Sequence, residues 1–228
     1  MFINNLVPAI DLMGGKVVQL KKGEEKKFES EDLDYWIEQF KEYSRVHVID
    51  LDGAFGNGHN IDLIKKIAAE LPIHVGGGIR SVADAKSILE LGVEQVIFGS
   101  SLYVQNGINK NLIEEATEKL GKSKIIAGID CKDNQIAIKG WREKVDLTAL
   151  DAINHLDEYV DAFLYTNVDI EGTQSGIETD YISELNEATS NTLYAAGGIA
   201  DLDDIQALEK INVRAVSGMA IYLGHLLD

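Results

Sequence analysis

Two aspartates at the ends of apolar runs are candidates for proton-transfer chemistry. Asp11 ends the apolar run "VPAID" and Asp130 ends the run "KIIAGID", and both runs have the composition of buried strands. A carboxyl group at a strand end that faces an enclosed cavity can act as a general base or, with a raised pKa, as a general acid. A lone aspartate there is more often solvated or caps a helix, but two at matching places favour chemistry.

Two glycine-rich segments, "HVGGGIRS" (74–81) and "YAAGGIADL" (194–202), each follow an apolar run and precede a helical pattern. Backbone N–H groups at such a turn can close on an anion because glycine has no Cβ in the way. A single pair of glycines is weak support, since turns also need glycine. Two copies indicate two anion sites and therefore a ligand with two separated phosphates. The candidate residues are Gly77, Gly78, Arg80, Gly99 and Ser100 for the first site, and Gly197, Gly198 and Gly218 for the second.

The segment after "AFLYTNV" supplies further polar candidates. Thr166 could hydrogen-bond a substrate hydroxyl, Glu171 is a third candidate carboxylate, and Gly172 with Thr173 could contact the second phosphate. Ordinary turn chemistry would also explain "EGTQSG". Trp141 could stack on a heteroaromatic ring, although an isolated tryptophan is more often part of a core.

Other reactive residue types give little sign of chemistry. The five histidines have no ligand-like spacing, so we expect no metal site. Strand alternation turns Cys131 away from the side that Asp130 faces, and we expect this thiol to be buried and inert. A single cysteine excludes an internal disulfide framework and fits a reducing cytoplasm.

The elements that must position these residues alternate from end to end of the chain. Amphipathic helical patterns such as "NIDLIKKIAAEL" and "SVADAKSILEL", the latter with Ser81 as N-cap, separate the strand candidates. The predicted strands are 7–11, 46–50, 73–76, 95–99, 124–130, 162–168, 192–196 and 214–218. Eight strands alternating with eight helices predict a (β/α)₈ TIM barrel, with a doubly wound open sheet as the competing architecture.

An internal repeat favours the barrel. Asp11 and Asp130 lie 119 residues apart, and the glycine pairs that begin at Gly77 and Gly197 lie 120 apart. The runs "KVVQL" (16–20) and "QIAIK" (135–139) follow the two aspartates at one offset and predict an extra short strand in each half. Two half-barrels, roughly 1–120 and 121–228, would close into a single domain over 1–228.

The bulk composition narrows the function classes. The chain has 228 residues and a formal net charge of −17, a surface that repels nucleic acid and anionic membranes. The start, "MFINNLVPAIDL", does not have the pattern of a signal peptide, and no apolar run is long enough to cross a membrane. We therefore expect a cytoplasmic monomer that acts on a small bisphosphorylated molecule.

Taken in order, these motifs resemble the phosphoribosylformimino-aminoimidazole-carboxamide ribotide isomerases of histidine biosynthesis. The similar segments are "PAIDLMGGKVVQLKKG", "VIDLDGAFG", "VGGGIRS", "GSS", "GIDCKDNQIAIKGW", "YTNVDIEGTQSG" and "AAGGIADLDD", which together span most of the chain. The resemblance implies a (β/α)₈ barrel that performs an Amadori rearrangement without metal or cofactor, on a substrate with a phosphate at each end.

The same resemblance assigns roles to individual residues. It implies that Asp11 is the general base and Asp130 the general acid, that Thr166 orients the ribose and that Trp141 lies near the imidazole carboxamide. One departure concerns Glu171, because members of the family usually have aspartate there. In some relatives that aspartate is the favoured acid, so the identity of the acid stays open between Asp130 and Glu171.

Three alternative functions remain at this point. The first is the cyclase subunit of imidazole glycerol phosphate synthase, which shares the paired aspartates and both phosphate sites, but "PAIDL" with "KGW" favours the isomerase. The second is a dual isomerase that also accepts phosphoribosylanthranilate. The third is a barrel that binds phosphorylated metabolites without converting them, which only Glu171 favours.

Overall fold

Eight parallel strands form the centre of the molecule, as the computed structural model of residues 4–105 and 107–226 shows. The predicted strands are all present. The barrel strands are β1 (Leu6–Met13), β2 (Val46–Asp50), β3 (Ile73–Gly76), β4 (Gln95–Phe98), β5 (Ile125–Lys132), β6 (Ala162–Asn167), β7 (Thr192–Ala196) and β8 (Arg214–Ser217).

The sheet closes on itself, which excludes the doubly wound alternative. Each strand pairs in parallel with the next, β8 pairs with β1, and β4 pairs with β5 across the junction of the two half-barrels. The (β/α)₈ prediction is therefore confirmed. The helices that follow the strands are α1 (Leu33–Phe40), α2 (Ile61–Ala68), α3 (Val82–Leu89), α4 (Lys110–Leu120), α5 (Ala149–Leu156), α6 (Thr179–Glu187), α7 (Leu202–Lys210) and the short α8 (Met219–Tyr222).

Strand alternation divides the apolar side chains between two cores. In β6, Phe163 and Tyr165 belong to the large cluster between the sheet and the helices, whereas Ala162 and Leu164 belong to a smaller cluster. That smaller cluster also holds Val7 of β1 and Ile126 of β5, so it fills the inside of the barrel. The inward positions set the direction of the polar residues at the strand ends.

A hairpin follows the first strand of each half. Lys16–Lys21 pairs with β1 and with a further strand, Glu25–Ser30, while Gln135–Ile138 pairs with β5 and with Glu143–Val145. The first strand of each hairpin agrees with the prediction from "KVVQL" and "QIAIK". The second strands, "EKKFES" and "EKV", are too charged for apolar periodicity to reveal them.

Smaller elements complete the loops. A helix over Leu51–Phe55 follows β2, and a two-stranded ribbon joins Tyr103–Val104 to Gly107–Ile108. Three single turns of 3₁₀ helix lie at Ser100–Leu102, Lys122–Lys124 and Val168–Ile170. The predicted N-cap is confirmed, since the Ser81 hydroxyl accepts a hydrogen bond from the backbone N–H of Asp84 at 3.1 Å.

The two glycine pairs make the same close approach in the two halves. Gly77 has φ +97°, and a Cβ atom there would lie 2.1 Å from the carbonyl oxygen of Asp50 at the end of β2. Gly197 has φ +91°, and a Cβ atom there would lie 2.5 Å from the carbonyl oxygen of Asn167 at the end of β6. Glycine is required at both positions by backbone contact as well as by φ.

We expect Gly77→Ala to lower the free energy of unfolding by more than about 3 kcal/mol, because the added methyl group must displace backbone. Urea unfolding monitored by circular dichroism measures this change. The matched control is Gly56→Ala, at φ +78° with nothing within 4 Å of the added Cβ. Its cost should be only about 1–2 kcal/mol. Equal losses in the two variants would contradict the close-contact explanation.

Candidate active site

The predicted proton-transfer residues extend the inward-facing rows of the barrel to its carboxyl-terminal mouth. Asp11 lies two and four residues beyond Ala9 and Val7 in β1, and Asp130 lies four residues beyond Ile126 in β5. Because side chains alternate along a strand, both carboxyl groups point to the inside of the mouth. This is the end where (β/α)₈ barrels carry their chemistry.

The Asp130 carboxyl group is held by two neighbours. The Trp141 indole Nε1–H donates to its Oδ2 at 2.9 Å, and the Thr166 hydroxyl, opposite Asp130 in the β5–β6 register, also hydrogen-bonds to it. Burial raises the pKa of Asp130, and these two hydrogen bonds lower it in part. Thr166 and Asp130 thus lie together in the structure, and the roles assigned to them stay predictions.

The Asp11 carboxyl group has a less polar setting. Its neighbour in the β1–β2 register is Ile49, and its Oδ2 accepts a hydrogen bond from Gln19 Nε2 at 3.1 Å. Burial raises the pKa of Asp11 to about 7, and the Gln19 amide opposes that shift. A carboxyl group with this pKa exchanges protons readily near neutral pH.

Glu171 joins the two aspartates in one site. The pKa of the Glu171 carboxyl is raised to about 8, mainly by burial and in addition by the charges of Asp11 and Asp130. The loop after β6 is held against the hairpin of the first half, where Lys22 N–H donates to the Glu171 carbonyl at 3.2 Å. Gly172 lies so close to this hairpin that a Cβ atom there would be 2.9 Å from Lys21 Cα.

Trp141 connects the loops above the mouth. It ends a run of three left-handed residues, with φ +55° at Lys139, +66° at Gly140 and +65° at Trp141. Its ring lies against Gly23 of the first hairpin, where a Cβ atom would be 3.0 Å from the ring carbons. The indole is therefore outside the core, at the site, with its N–H on Asp130.

The residues of the first candidate anion site are close together. Gly78 packs on Gly53, and Arg80 Nη2 donates to the carbonyl oxygens of Gly53 and Ala54 at 3.1 and 3.2 Å. The exposed guanidinium is thereby fixed beside the glycine loop. Gly99 follows β4, and the neighbouring Ser100 hydroxyl accepts from the Lys139 N–H at 3.0 Å, which joins this site to the loop of Trp141.

The second candidate anion site has the same form but no arginine at the matching position. Gly198 packs against the carbonyl oxygen of Gly176. The backbone N–H of Gly176 donates to the Gly198 carbonyl at 3.0 Å. Gly218 follows β8 and is buried against the Gln19 side chain. The Thr173 hydroxyl donates to the Ile170 carbonyl at 2.7 Å, which is turn chemistry; its contact with a phosphate stays a prediction.

A network that sequence reasoning missed fixes the loop after β1. Asp50, 1% exposed, accepts hydrogen bonds from the backbone and side-chain amides of Asn60 at 3.1 and 2.7 Å. Asn60 Oδ1 accepts from the Gly15 N–H at 3.0 Å, and the Gly14 N–H donates to Asp52 at 2.6 Å. The acidic side chains of "VIDLDG" were the signal, but their partners lie in other segments.

Two cavities lie at opposite ends of the barrel. One of about 440 Å³ lies among the loops after β1, β2 and β5, and Leu20, Phe55 and Arg142 are among the residues that line it. A larger one, of about 560 Å³, lies at the amino-terminal end beside Asn5, Asn191 and Arg214. We assign the chemistry to the carboxyl-terminal end because the carboxyl groups with raised pKa values are there.

Cys131 is buried in the core between the sheet and the helices, so the prediction that it is buried on the side away from Asp130 agrees with the structure. Burial raises the pKa of its thiol to about 12. Within residues 4–105 and 107–226, no three His, Cys, Asp or Glu side chains are grouped so as to hold a metal ion. In the same part of the chain, none of the helices has the length and apolar character needed to cross a membrane.

The fold is a (β/α)₈ barrel whose mouth holds three carboxyl groups with raised pKa values, with a glycine-rich candidate anion site in each half. The sequence also identifies the family. The chain belongs to the family described as "Histidine biosynthesis protein", whose family profile matches residues 5–226.

Curated relatives cover almost the whole chain. One from Methanocaldococcus jannaschii is 40% identical over 98% of this chain and 95% of its own length. One from Archaeoglobus fulgidus is 38% identical over 95% and 92%. A third, from Methanosphaera stadtmanae, is 37% identical over 96% and 94%. All three are named 1-(5-phosphoribosyl)-5-((5-phosphoribosylamino)methylideneamino) imidazole-4-carboxamide isomerase.

The raised pKa of Glu171 predicts a pH-dependent cost in stability. A carboxyl whose pKa rises on folding favours the folded state below its unfolded pKa, and this contribution is lost as pH rises through about 8. We expect Glu171→Gln to stabilise the protein at pH 9 by about 2–4 kcal/mol, a rise in Tm of roughly 5–10 °C, and to have little effect at pH 4.5.

Differential scanning calorimetry of both proteins across this pH range measures the effect. Glu187→Gln, at an exposed position on α6, is the matched control and should change Tm by less than about 1 °C at either pH. A Tm gain for Glu171→Gln that stays constant from pH 4.5 to 9 would show that titration of Glu171 is not its source.

Proposed function

We propose that this chain is an aldose–ketose isomerase of histidine biosynthesis. It converts the aminoaldose N'-((5-phosphoribosyl)formimino)-5-aminoimidazole-4-carboxamide ribonucleotide into the corresponding aminoketose. The observation that carries this proposal is the meeting of Asp11, Asp130 and Glu171 in one mouth, since the charges of both aspartates act on Glu171. The names of the relatives supply the substrate.

The two candidate anion sites fit a substrate with a phosphate at each end. One lies after β3 and β4 and the other after β7 and β8, on the two sides of a mouth whose centre holds the carboxyl groups. Backbone N–H groups of the glycine loops, with Arg80 at the first site, supply the local attraction that a chain of net charge −17 needs for an anionic substrate. Binding both phosphates would fix the sugar between the carboxyl groups.

The reaction requires one proton donor and one proton acceptor. A carboxylic acid protonates the furanose ring oxygen, the C1′–O bond breaks, and the ring opens to a Schiff base. A carboxylate then removes the C2′ proton, which leaves an enolamine, and tautomerisation gives the aminoketose. We assign the acceptor role to Asp11, whose pKa of about 7 leaves much of it ionised near neutral pH.

For the donor, the hydrogen bonds favour Glu171 over Asp130. Trp141 and Thr166 hydrogen-bond to Asp130 and stabilise its carboxylate form. Glu171, with a pKa of about 8, retains its proton at neutral pH. The longer side chain that departs from the family pattern is thus compatible with general-acid chemistry, and Asp130 would orient the substrate and stabilise developing positive charge.

We further propose that the enzyme acts as a cytoplasmic monomer, with no metal or cofactor, and binds neither nucleic acid nor membrane. The strongly negative net charge supports the last two points. The free, buried Cys131 supports a reducing compartment. Sedimentation equilibrium of the purified chain at micromolar concentration tests the monomer.

We expect Asp11→Asn to lower kcat by about 10²–10⁴-fold with a smaller change in KM, because the asparagine amide cannot accept the C2′ proton. Spectroscopic conversion of the aminoaldose by purified protein measures it. Parallel assays with phosphoribosylanthranilate and with ammonia detect the dual isomerase and the cyclase. A variant rate within about threefold of the wild type would remove Asp11 from its assigned role.

The pH profile distinguishes the two candidate acids. We expect kcat of the wild type to rise through about pH 7 as Asp11 ionises and to fall above about pH 8 as Glu171 loses its proton. Glu171→Gln should leave a low residual rate without the alkaline fall, and Asp130→Asn should retain the fall. The reverse pattern would assign the acid to Asp130.

A further inference from the structure

Gln19 is a buried polar side chain beside the site. It is only 3% exposed and lies in the hairpin strand Lys16–Lys21. That strand pairs antiparallel with β1 so that Val18 is opposite Asp11. The hairpin therefore holds Gln19 over the mouth of the barrel. A buried amide needs partners, and those that it has identify what it does.

The Gln19 amide is wedged between the Asp11 carboxylate and the backbone after β8. Its Nε2 donates to Asp11 Oδ2 at 3.1 Å. On the other side it covers Gly218, where a Cβ atom would lie 2.5 Å from Gln19 Oε1 and 2.6 Å from Nε2. Any side chain at position 218 would push the amide out of this place. Glycine at 218 thus leaves room for Gln19.

In the second half of the barrel, the carboxylate of Asp130 receives its hydrogen bonds from other elements. Asp130 receives hydrogen bonds from Trp141 and from Thr166, its neighbour across the β5–β6 register. At Asp11 the corresponding neighbour is Ile49, which offers no hydrogen bond. The position that matches Gln19 in the repeat, Ile138, is apolar and buried. The donor from the hairpin is thus particular to the first half.

We propose that Gln19 is the positioning residue for proton transfer by Asp11: its amide holds Oδ2, which leaves Oδ1 to face the substrate, and its contact with Gly218 ties that carboxylate to the second anion site. This inference rests on the proposed function only for the role of Asp11 in the reaction. The contacts themselves are independent of it.

Several titratable groups share the surroundings of Asp11. Burial raises the pKa of Glu171 in the loop after β6 and of Tyr222 in α8, and the charge of Asp11 raises both further. The Tyr222 hydroxyl donates to the Ala9 carbonyl at 3.0 Å. Gln19 is neutral at every pH, so it acts on Asp11 by hydrogen bonding alone. Because a donor stabilises the carboxylate form, its removal must raise the pKa of Asp11.

The test compares Gln19→Leu with the wild-type protein by two measurements. Carbon-13 NMR of labelled aspartate carboxyls, with the Asp11 signal assigned by its loss in Asp11→Asn, gives the pKa of Asp11 directly. We expect a rise of about one unit. Steady-state kinetics should show the acidic limb of the kcat profile moved upward by the same amount. At neutral pH kcat should fall about tenfold, while KM changes less than about threefold.

Two further variants sharpen the comparison. Gln135→Leu makes the same replacement on the matching hairpin, where the amide donates to Asp146 at 3.3 Å, and should leave the Asp11 titration and kcat unchanged. Gln19→Glu keeps the shape of the side chain. It places a second carboxyl against Asp11 and should raise the pKa of Asp11 further. If Gln19→Leu does not fold, Gln19→Glu provides the test of the Asp11 pKa.

The outcomes separate the two proposals. If the Asp11 pKa stays within about 0.2 units of the wild type in both Gln19 variants, the positioning role is wrong, whatever their activity. If that pKa rises but kcat and its acidic limb do not change, Gln19 does not act through Asp11 in the reaction. If the wild type does not convert the aminoaldose while the pKa still rises, the proposed function fails and the contact stands.

Discussion

Burial of carboxyl groups at the mouth of a closed barrel is the constraint on which the rest of this site depends. Removing a carboxylate from water disfavours its charged form, and this one effect is the largest cause of the raised pKa at Asp11, Asp130 and Glu171. The hydrogen bonds differ: Gln19 donates to Asp11, and Trp141 and Thr166 donate to Asp130. Neighbours therefore change the pKa values of similar acids to different extents, which is what acid–base chemistry needs.

The barrel supplies that environment because its sheet has no edge. Pairing of β4 with β5 closes the ring, so the last residues of all eight strands surround one space. The glycine pairs then allow the loops to lie against the neighbouring strand ends, Gly77 on Asp50 and Gly197 on Asn167. In the proposed function the same loops would offer their N–H groups to the two phosphates of the substrate.

The barrel strands, the internal repeat and the outward direction of Cys131 could be predicted from the sequence. Apolar runs separated by amphipathic segments located all eight barrel strands, and the spacing of Asp11 from Asp130 indicated a repeat that closes the sheet. Alternation alone placed Cys131 on the outer side of β5, where it is buried. The charged strands Glu25–Ser30 and Glu143–Val145 were missed, because what makes them strands is pairing with a neighbour and not their own pattern.

What the sequence determined by itself was the order of elements and the residue types at each strand end, because periodicity and glycine placement are local properties of the chain. Only the tertiary structure decided which donor meets which carboxylate: Gln19 with Asp11 across the hairpin, and Trp141 with Asp130 through three left-handed residues. It also brought Glu171 within the electrostatic influence of both aspartates. The pKa of a buried group depends on contacts between segments far apart in sequence, and those exist only when the barrel is closed.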